Sequence, residues 1–364
     1  MSIVFNYLAK QVLLSMVAVS GVLMLIFMSG RLIKYIAQAA AGGISGDVLL
    51  TVMAYRMPGF LELILPLGLF IGILLAYGRM YLESEMTVLY ACGMSQNRLI
   101  GMTLVISLAV AGVVAWLSLY LAPAGMKKTQ EVFAEQARLT VFELLAEGRF
   151  QKRADITFYT ESLSKGKEEL RNVFMYVPTK NGKQSAVTVA ETGRLQFDEV
   201  TGSRYLVLEK GARFEAAPGQ LDLMVFEFDT YGQRIEIPEA RNIKKKDEAI
   251  STNELWNSDS PKYRALLQWR ISLPLLAPVV TLLAISLSRV NPRQGRFFHL
   301  LPAMLIYITY LGLLIASRKW VEKEKIPEWI GVWWVHISFF SIAIFNLYGK
   351  EWGNKLRNRF SAKN

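Results

Sequence analysis

Six apolar runs decide what this chain can fold into. Gln11–Gly30, Leu99–Met126, Ile271–Ser288, Leu300–Ser317 and Trp329–Gly349 hold no Asp, Glu, Lys or Arg, and Pro58–Gly78 holds only Glu62. Crossing a bilayer core takes about 20 predominantly apolar residues in a helix. Within such a segment, a helix satisfies every backbone N–H and C=O internally. The fourth and fifth runs are short and extend through interfacial residues, Leu266–Trp269 and Phe297–His299. Ala37-Gln38-Ala39 resembles a signal cleavage site. The long first run, with Arg31 and Lys34 lying between it and that tripeptide, fits a retained span better than a cleaved signal.

The runs fall three and three around residues 127–264, which contain no spanning run. The expected domains are 1–126 (the first three spans, with a short helix at about 83–93), 127–264 (a soluble domain with its connectors), 265–349 (the last three spans) and 350–364 (a basic tail). Residues 127–264 hold 22 basic and 22 acidic side chains, so the net charge of +11 lies entirely in the membrane part. A nucleic-acid binder would carry that excess on its soluble domain, and no nucleic-acid partner is expected. Here it reads as topology and contact with anionic lipid.

The tail sets Lys350, Lys355, Arg357, Arg359 and Lys363 against Glu351. The connection after the fourth span holds Arg289, Arg293 and Arg296 and no acid, whereas Arg318–Glu328 mixes four bases with three acids. The bias puts both termini in the cytoplasm and the 127–264 domain outside. Arg31 and Lys34 then fall on the outer side, against the trend. The only cysteine, Cys92, falls on the cytoplasmic side, so the outer domain folds without disulfides. Its length suffices for a core of its own.

The outer domain reads as β. Strand candidates are Asp155–Leu163, Asn172–Val177, Ser185–Ala190, Arg194–Phe197, Arg204–Leu208, Ala212–Glu215 and Leu221–Phe228, with turns at Asn181-Gly182, Thr201-Gly202 and Pro218-Gly219. Seven or eight short strands point to a sandwich or jelly roll. A helix from Thr129 to Leu145 is expected to lead out of the third span, and a polar stretch, Asn242–Ser260, to lead back. The fold class is therefore membrane α-helical, six transmembrane helices, with an inserted all-β, jelly-roll-like domain.

No phosphate loop, His-Glu-x-x-His, Cys-x-x-Cys, nucleophile elbow or paired-carboxylate motif occurs. No catalytic residue, cofactor or metal is assigned. Transport, or a non-transporting scaffold or sensor, remains.

Between the second and third runs stands ESEMTVLYACGMS, residues 83–95. Ser84 suits a helix N-cap, Glu83 and Glu85 suit the positive end of its dipole, Gly93 suits a left-handed C-cap, and Ser95 caps the next helix. Met86, Leu89 and Tyr90 follow i, i+3, i+4 spacing and form an apolar face. Such a helix rests on lipid or docks into a groove with a basic rim. The acids suit docking, because the cytoplasmic leaflet is itself negative.

Tyr81–Ser95 (YLESEMTVLYACGMS), Trp269-Arg270-Ile271 and Val290–Arg296 (VNPRQGR), followed by Leu301-Pro302-Ala303-Met304, resemble the LptF/LptG family of lipopolysaccharide-export permeases, the loop being most like its LptF branch. The resemblance implies a heterodimer with an LptG-type permease, an LptB-type ATPase dimer below, and an LptC-type protein with a membrane anchor and a β-domain. It implies the inner membrane of a Gram-negative bacterium, with the β-domain in the periplasm, and export of lipopolysaccharide to a periplasmic bridge. Residues 83–93 would be the coupling helix, with Glu85 the coupling glutamate, Glu83 its less certain neighbour, and Met86, Leu89 and Tyr90 the seated face. Arg31 and Lys34 would contact lipid A phosphates beside a lateral gate, and Arg213 the passing lipid. As in the family, acyl chains would run between the sheets; Phe197, Leu206, Leu208, Leu223, Val225, Phe226 and Phe228 are candidate contacts.

Three further features stand in or near the spans. Arg56, Glu62 and Arg270 are charges at one level, either functional or interfacial. Gly68, Gly72 and Ala76 form a small-residue row that permits close helix contact, within the chain or at a seam. His299 and His336 read as packed or interfacial side chains.

Overall fold

The computed structural model describes residues 2–40, 46–138, 147–153, 156–163, 169–178, 185–197, 204–216, 223–235, 247–289 and 300–361. The expected turns at 181–182, 201–202 and 218–219, the loop 290–296, His299 and the end of the exit helix (139–145) lie outside them. Two compact units emerge: residues 1–30, 53–129 and 245–364, and residues 31–52 and 130–244.

The first unit is helical. It draws on α1 (Ser2–Ala40), α2 (Leu49–Leu82), α3 (Glu85–Ala91), α4 (Gln96–Trp116), α5 (Ala122–Arg138), α6 (Thr252–Trp256), α7 (Pro261–Leu287), α8 (Leu300–Glu322) and α9 (Trp333–Ser361). Five helical stretches are long and apolar enough to cross a membrane: Ile3–Ala40, Leu49–Leu82, Gln96–Glu135, Pro261–Leu287 and Leu300–Glu322. The third joins α4 and α5 through a five-residue π-helical stretch, Leu117–Leu121. The sixth apolar run is α9, whose first half is diluted by Trp333, Trp334, His336 and Asn346.

Helix α7 is central and packs against α4, α8 and α9. Leu273, Leu276, Ala277, Val280 and Ala284 are completely buried. Two pairs of polar groups meet inside, Tyr77 with Thr103 at 2.6 Å and Tyr310 with His336 Nδ1 at 2.6 Å, whereas the hydroxyls of Ser107, Thr281 and Tyr307 and the Nε2 of His336 have no partner among the described residues. The small-residue row of α2 packs within the chain. A Cβ on Gly72 would come within 2.8 Å of the Met16 backbone nitrogen, and one on Gly68 would collide with the Ser20 hydroxyl. The missing side chains therefore let α1 and α2 approach backbone to backbone.

The second unit groups the end of α1 and the end of α5 with a six-stranded antiparallel sheet. Tyr35 is buried, its ring 6.3 Å from that of Phe133. The strands are β1 (Gln151–Arg153), β2 (Ile156–Leu163), β3 (Glu169–Pro178), β4 (Ser185–Phe197), β5 (Arg204–Ala216) and β6 (Leu223–Ile235), paired in sequence order. The β character is as expected, but the count differs: two expected strands merge into β4 and two into β5. Among the described strands the order is that of a meander, without the crossovers of a jelly roll.

The merging has a physical reason. Each inner pairing skips one position, and the skipped positions form one transverse line: Glu161, Asn172, Glu191, Lys210 and Asp229. Asn172 and Lys210 are left-handed, with φ of 49° and 51°. Across that line the inward parity changes. In β4 the inward residues run Ala186, Thr188, Ala190 and then Gly193; in β3 they run Leu170 and then Val173 and Met175. An alternation that shifts by one looks like a strand end in sequence; here it is a crease in a continuous strand. Phe158, Leu170, Val173, Met175, Ala190, Leu206 and Leu208 form the core of this unit.

Candidate functional site

Helix α2 stops where Ser84 turns left-handed, at φ 59°. Ser84 stands at the N-cap of α3 as expected, but its side chain makes no capping bond; its carbonyl instead accepts from Val88 N at 3.1 Å. The left-handed backbone that redirects the chain is the reason. At the other end, Gly93 has φ 88°, Met94 N donates to Leu89 O at 3.1 Å and Gly93 N to Tyr90 O at 3.0 Å. That is a Schellman stop, with Met94 buried beneath it. Ser95 caps α4 by accepting from Arg98 N at 3.3 Å.

These stops fix which face of α3 points where. Met86 is completely buried, in one cluster with Leu8, Val12, Met80 and Met94, and Leu89 and Tyr90 pack against that cluster. The apolar face thus lies on the chain's own bundle. Thr87, Val88, Ala91 and Cys92 face outward. Glu83 is exposed and stands 3.7 Å from Arg79, one turn back. Glu85 is half-buried, and its Oε2 accepts from the Tyr7 hydroxyl at 2.7 Å. Sequence spacing brings the five α3-region residues together; Tyr7, 78 positions away, carried no local signal.

Arg31 is half-buried and Lys34 exposed near the end of α1, one turn apart. Arg213 lies on β5, within a polar network. Its Nε pairs with Glu215 at 2.7 Å, and its Nη1 donates to the Tyr231 hydroxyl at 2.5 Å, beside Gln233. Of the expected acyl-chain contacts, Leu206 and Leu208 are core, whereas Leu223, Val225 and Phe226 are about half exposed on β6. The side chain of Phe197 lies outside the described residues.

Arg270 is 4% exposed. Its Nη1 donates to Thr252 Oγ1 at 3.0 Å, and its Nη2 to the carbonyls of Glu248 at 3.0 Å and Ile250 at 2.8 Å. Its own carbonyl accepts from Ser118 Oγ, in the π-helical stretch, at 2.9 Å. Thr252 in turn donates to the Leu119 carbonyl. Glu62 feels Arg270 electrostatically. Sequence marks this charge at the head of a span; it does not show that the guanidinium is a clamp on the returning connector.

A family model described as lipopolysaccharide export system permease LptF/LptG matches residues 6–349. The lipopolysaccharide export system permease proteins LptF of Escherichia coli K12 and of Shigella flexneri are each 31% identical over 365 aligned residues, covering 99% of this chain and 99% of the relative. With the three–β–three order of elements and agreement over nearly the whole length, the chain belongs to the LptF/LptG family of lipopolysaccharide export permeases, the membrane components of an ABC transporter rather than its ATPase.

Proposed function

We propose that the chain is one permease half of a machine that lifts lipopolysaccharide from the inner membrane and passes it to a periplasmic bridge. An LptG-type permease completes the membrane part, an LptB-type ATPase dimer sits on the cytoplasmic side, and an LptC-type protein receives the lipid. Both termini are cytoplasmic and the β-unit is periplasmic. The family assignment supports transport over the scaffold or sensor reading.

The observation that carries this reading is the attachment of α3. Its acid head, Glu83 and Glu85, is open to a partner, while Met86, Leu89 and Tyr90 hold the helix to the bundle. A nucleotide-driven movement of a docked ATPase would therefore reach the spans through packed side chains. A ligand does work only through contacts that differ between states, and Glu85 supplies one such contact to an arginine of the ATPase. Lipid enters beside α1, where Arg31 and Lys34 meet its phosphates through charge-assisted bonds. Arg213, already paired with Glu215, is the lesser lipid contact. The test is Glu85→Lys: the heterodimer should assemble, retain the ATPase poorly on affinity capture and lose lipid export. Undiminished capture and export would remove Glu85 from the coupling role.

A further inference from the structure

We propose that Tyr7 is the positioning residue for Glu85, holding the carboxylate in the orientation that a partner cation meets. This rests on the reading of α3 as the ATPase contact. The bond runs from the Tyr7 hydroxyl to Glu85 Oε2 at 2.7 Å. A hydroxyl donating to a carboxylate is among the stronger neutral–ionic pairs. Gln11 and Arg79 also interact with the phenol.

A glutamate on a short helix has several open rotamers, and each bond made from elsewhere removes some of them. Among the described residues Glu83 is tied to Arg79, within its own stretch of chain. Glu85 is tied to a different helix, and that helix is itself fixed. Next to Tyr7, Leu8 is completely buried, as is Val12 one turn on, both in the cluster that holds Met86. Farther along, Met16 and Ser20 lie against Gly72 and Gly68. Tyr7 is therefore presented at the rim of the bundle by a helix with little freedom to shift. Oε2 faces that phenol, and among the described residues no second side chain bonds the carboxylate, so Oε1 is the atom to meet a cation from outside. The same helix bears Arg31 and Lys34, so the element proposed to meet lipid is the one that aims the coupling acid.

The experiment uses the full complex of both permeases, the LptC-type protein and the ATPase, reconstituted in vesicles loaded with lipopolysaccharide. Lipid delivered and ATP hydrolysed are measured for wild type, Tyr7→Phe, Glu85→Gln and the double variant. Tyr7→Phe keeps the ring and its packing, so assembly is retained. Its lipid delivered per ATP should fall roughly three- to tenfold, the worth of one net hydrogen bond. The double variant should be no worse than Glu85→Gln alone, because the phenol acts through that carboxylate. A Tyr7→Phe ratio within twofold of wild type, or a loss that adds in full to that of Glu85→Gln, overturns the inference and leaves the role of α3 intact. An unchanged ratio in Glu85→Gln overturns the α3 reading and the inference with it.

Discussion

Replacing Arg270 with leucine should release Asp247–Trp256 from the head of α7 and leave the rest of the helical unit in place. The guanidinium makes three hydrogen bonds to that segment, two to carbonyls and one to Thr252. Bonds to a charged donor contribute about 1.5–3 kcal/mol each, and the carbonyls left behind have no other donor in the clamp. Removing a buried cation also relieves its desolvation, which offsets several kcal/mol of that loss. The net cost should be about 2–4 kcal/mol, concentrated in one segment. Amide hydrogen exchange on the purified chain in lipid discs reads this directly. Exchange across residues 247–256 should accelerate roughly 30- to 700-fold, at about 1.4 kcal/mol per decade. Arg270→Lys keeps the charge but loses the planar fork, and should fall between wild type and leucine. A rise below about threefold in Arg270→Leu, or one spread evenly over α4, α7 and α8, would refute the clamp.

Two other outcomes follow from the geometry. Gly72→Leu forces a side chain against the Met16 backbone and should destabilise the α1–α2 contact by about 1–3 kcal/mol, seen as a lower melting temperature of the purified protein; an unchanged melting temperature would show that the helices do not meet there. Arg31→Glu with Lys34→Glu should cut photocrosslinking of lipopolysaccharide to α1 by roughly tenfold or more, two favourable charge contacts having become repulsive; crosslinking at the wild-type level would reduce both bases to interfacial side chains.

How much was legible depended on whether the cause was local. Gly93 and Ser95 mark the end of α3 and the start of α4 through their own backbone and side-chain chemistry, so both read correctly from sequence. Gly68 and Gly72 announced a close helix contact, though not that α1 was the partner. The residue type of Ser84 permits a side-chain cap, but its left-handed backbone leaves the side chain without one. The crease in the sheet falls in the gaps between strand candidates, 191–193 and 209–211. Alternation cannot tell a strand that stops from one that shifts face and continues. Met86, Leu89 and Tyr90 were placed on one face by spacing, but spacing does not say whether that face looks inward or toward a partner. Tyr7 and the acceptors of Arg270 stayed hidden because each pairing joins distant parts of the chain.

The strand order of the β-unit bears on how the chain is made. Every strand from β2 to β6 pairs with the strand synthesised just before it. Loops this short cost little entropy to close, so such a sheet forms hairpin by hairpin as the chain grows. The helical unit has the opposite character, since α4 meets α7 only after the whole β-unit has been made. A growing chain therefore finishes its soluble part while its membrane part is still half-built. During that interval the buried face of α4 has no α7 to cover it, and the completed sheet delays the pairing without needing it.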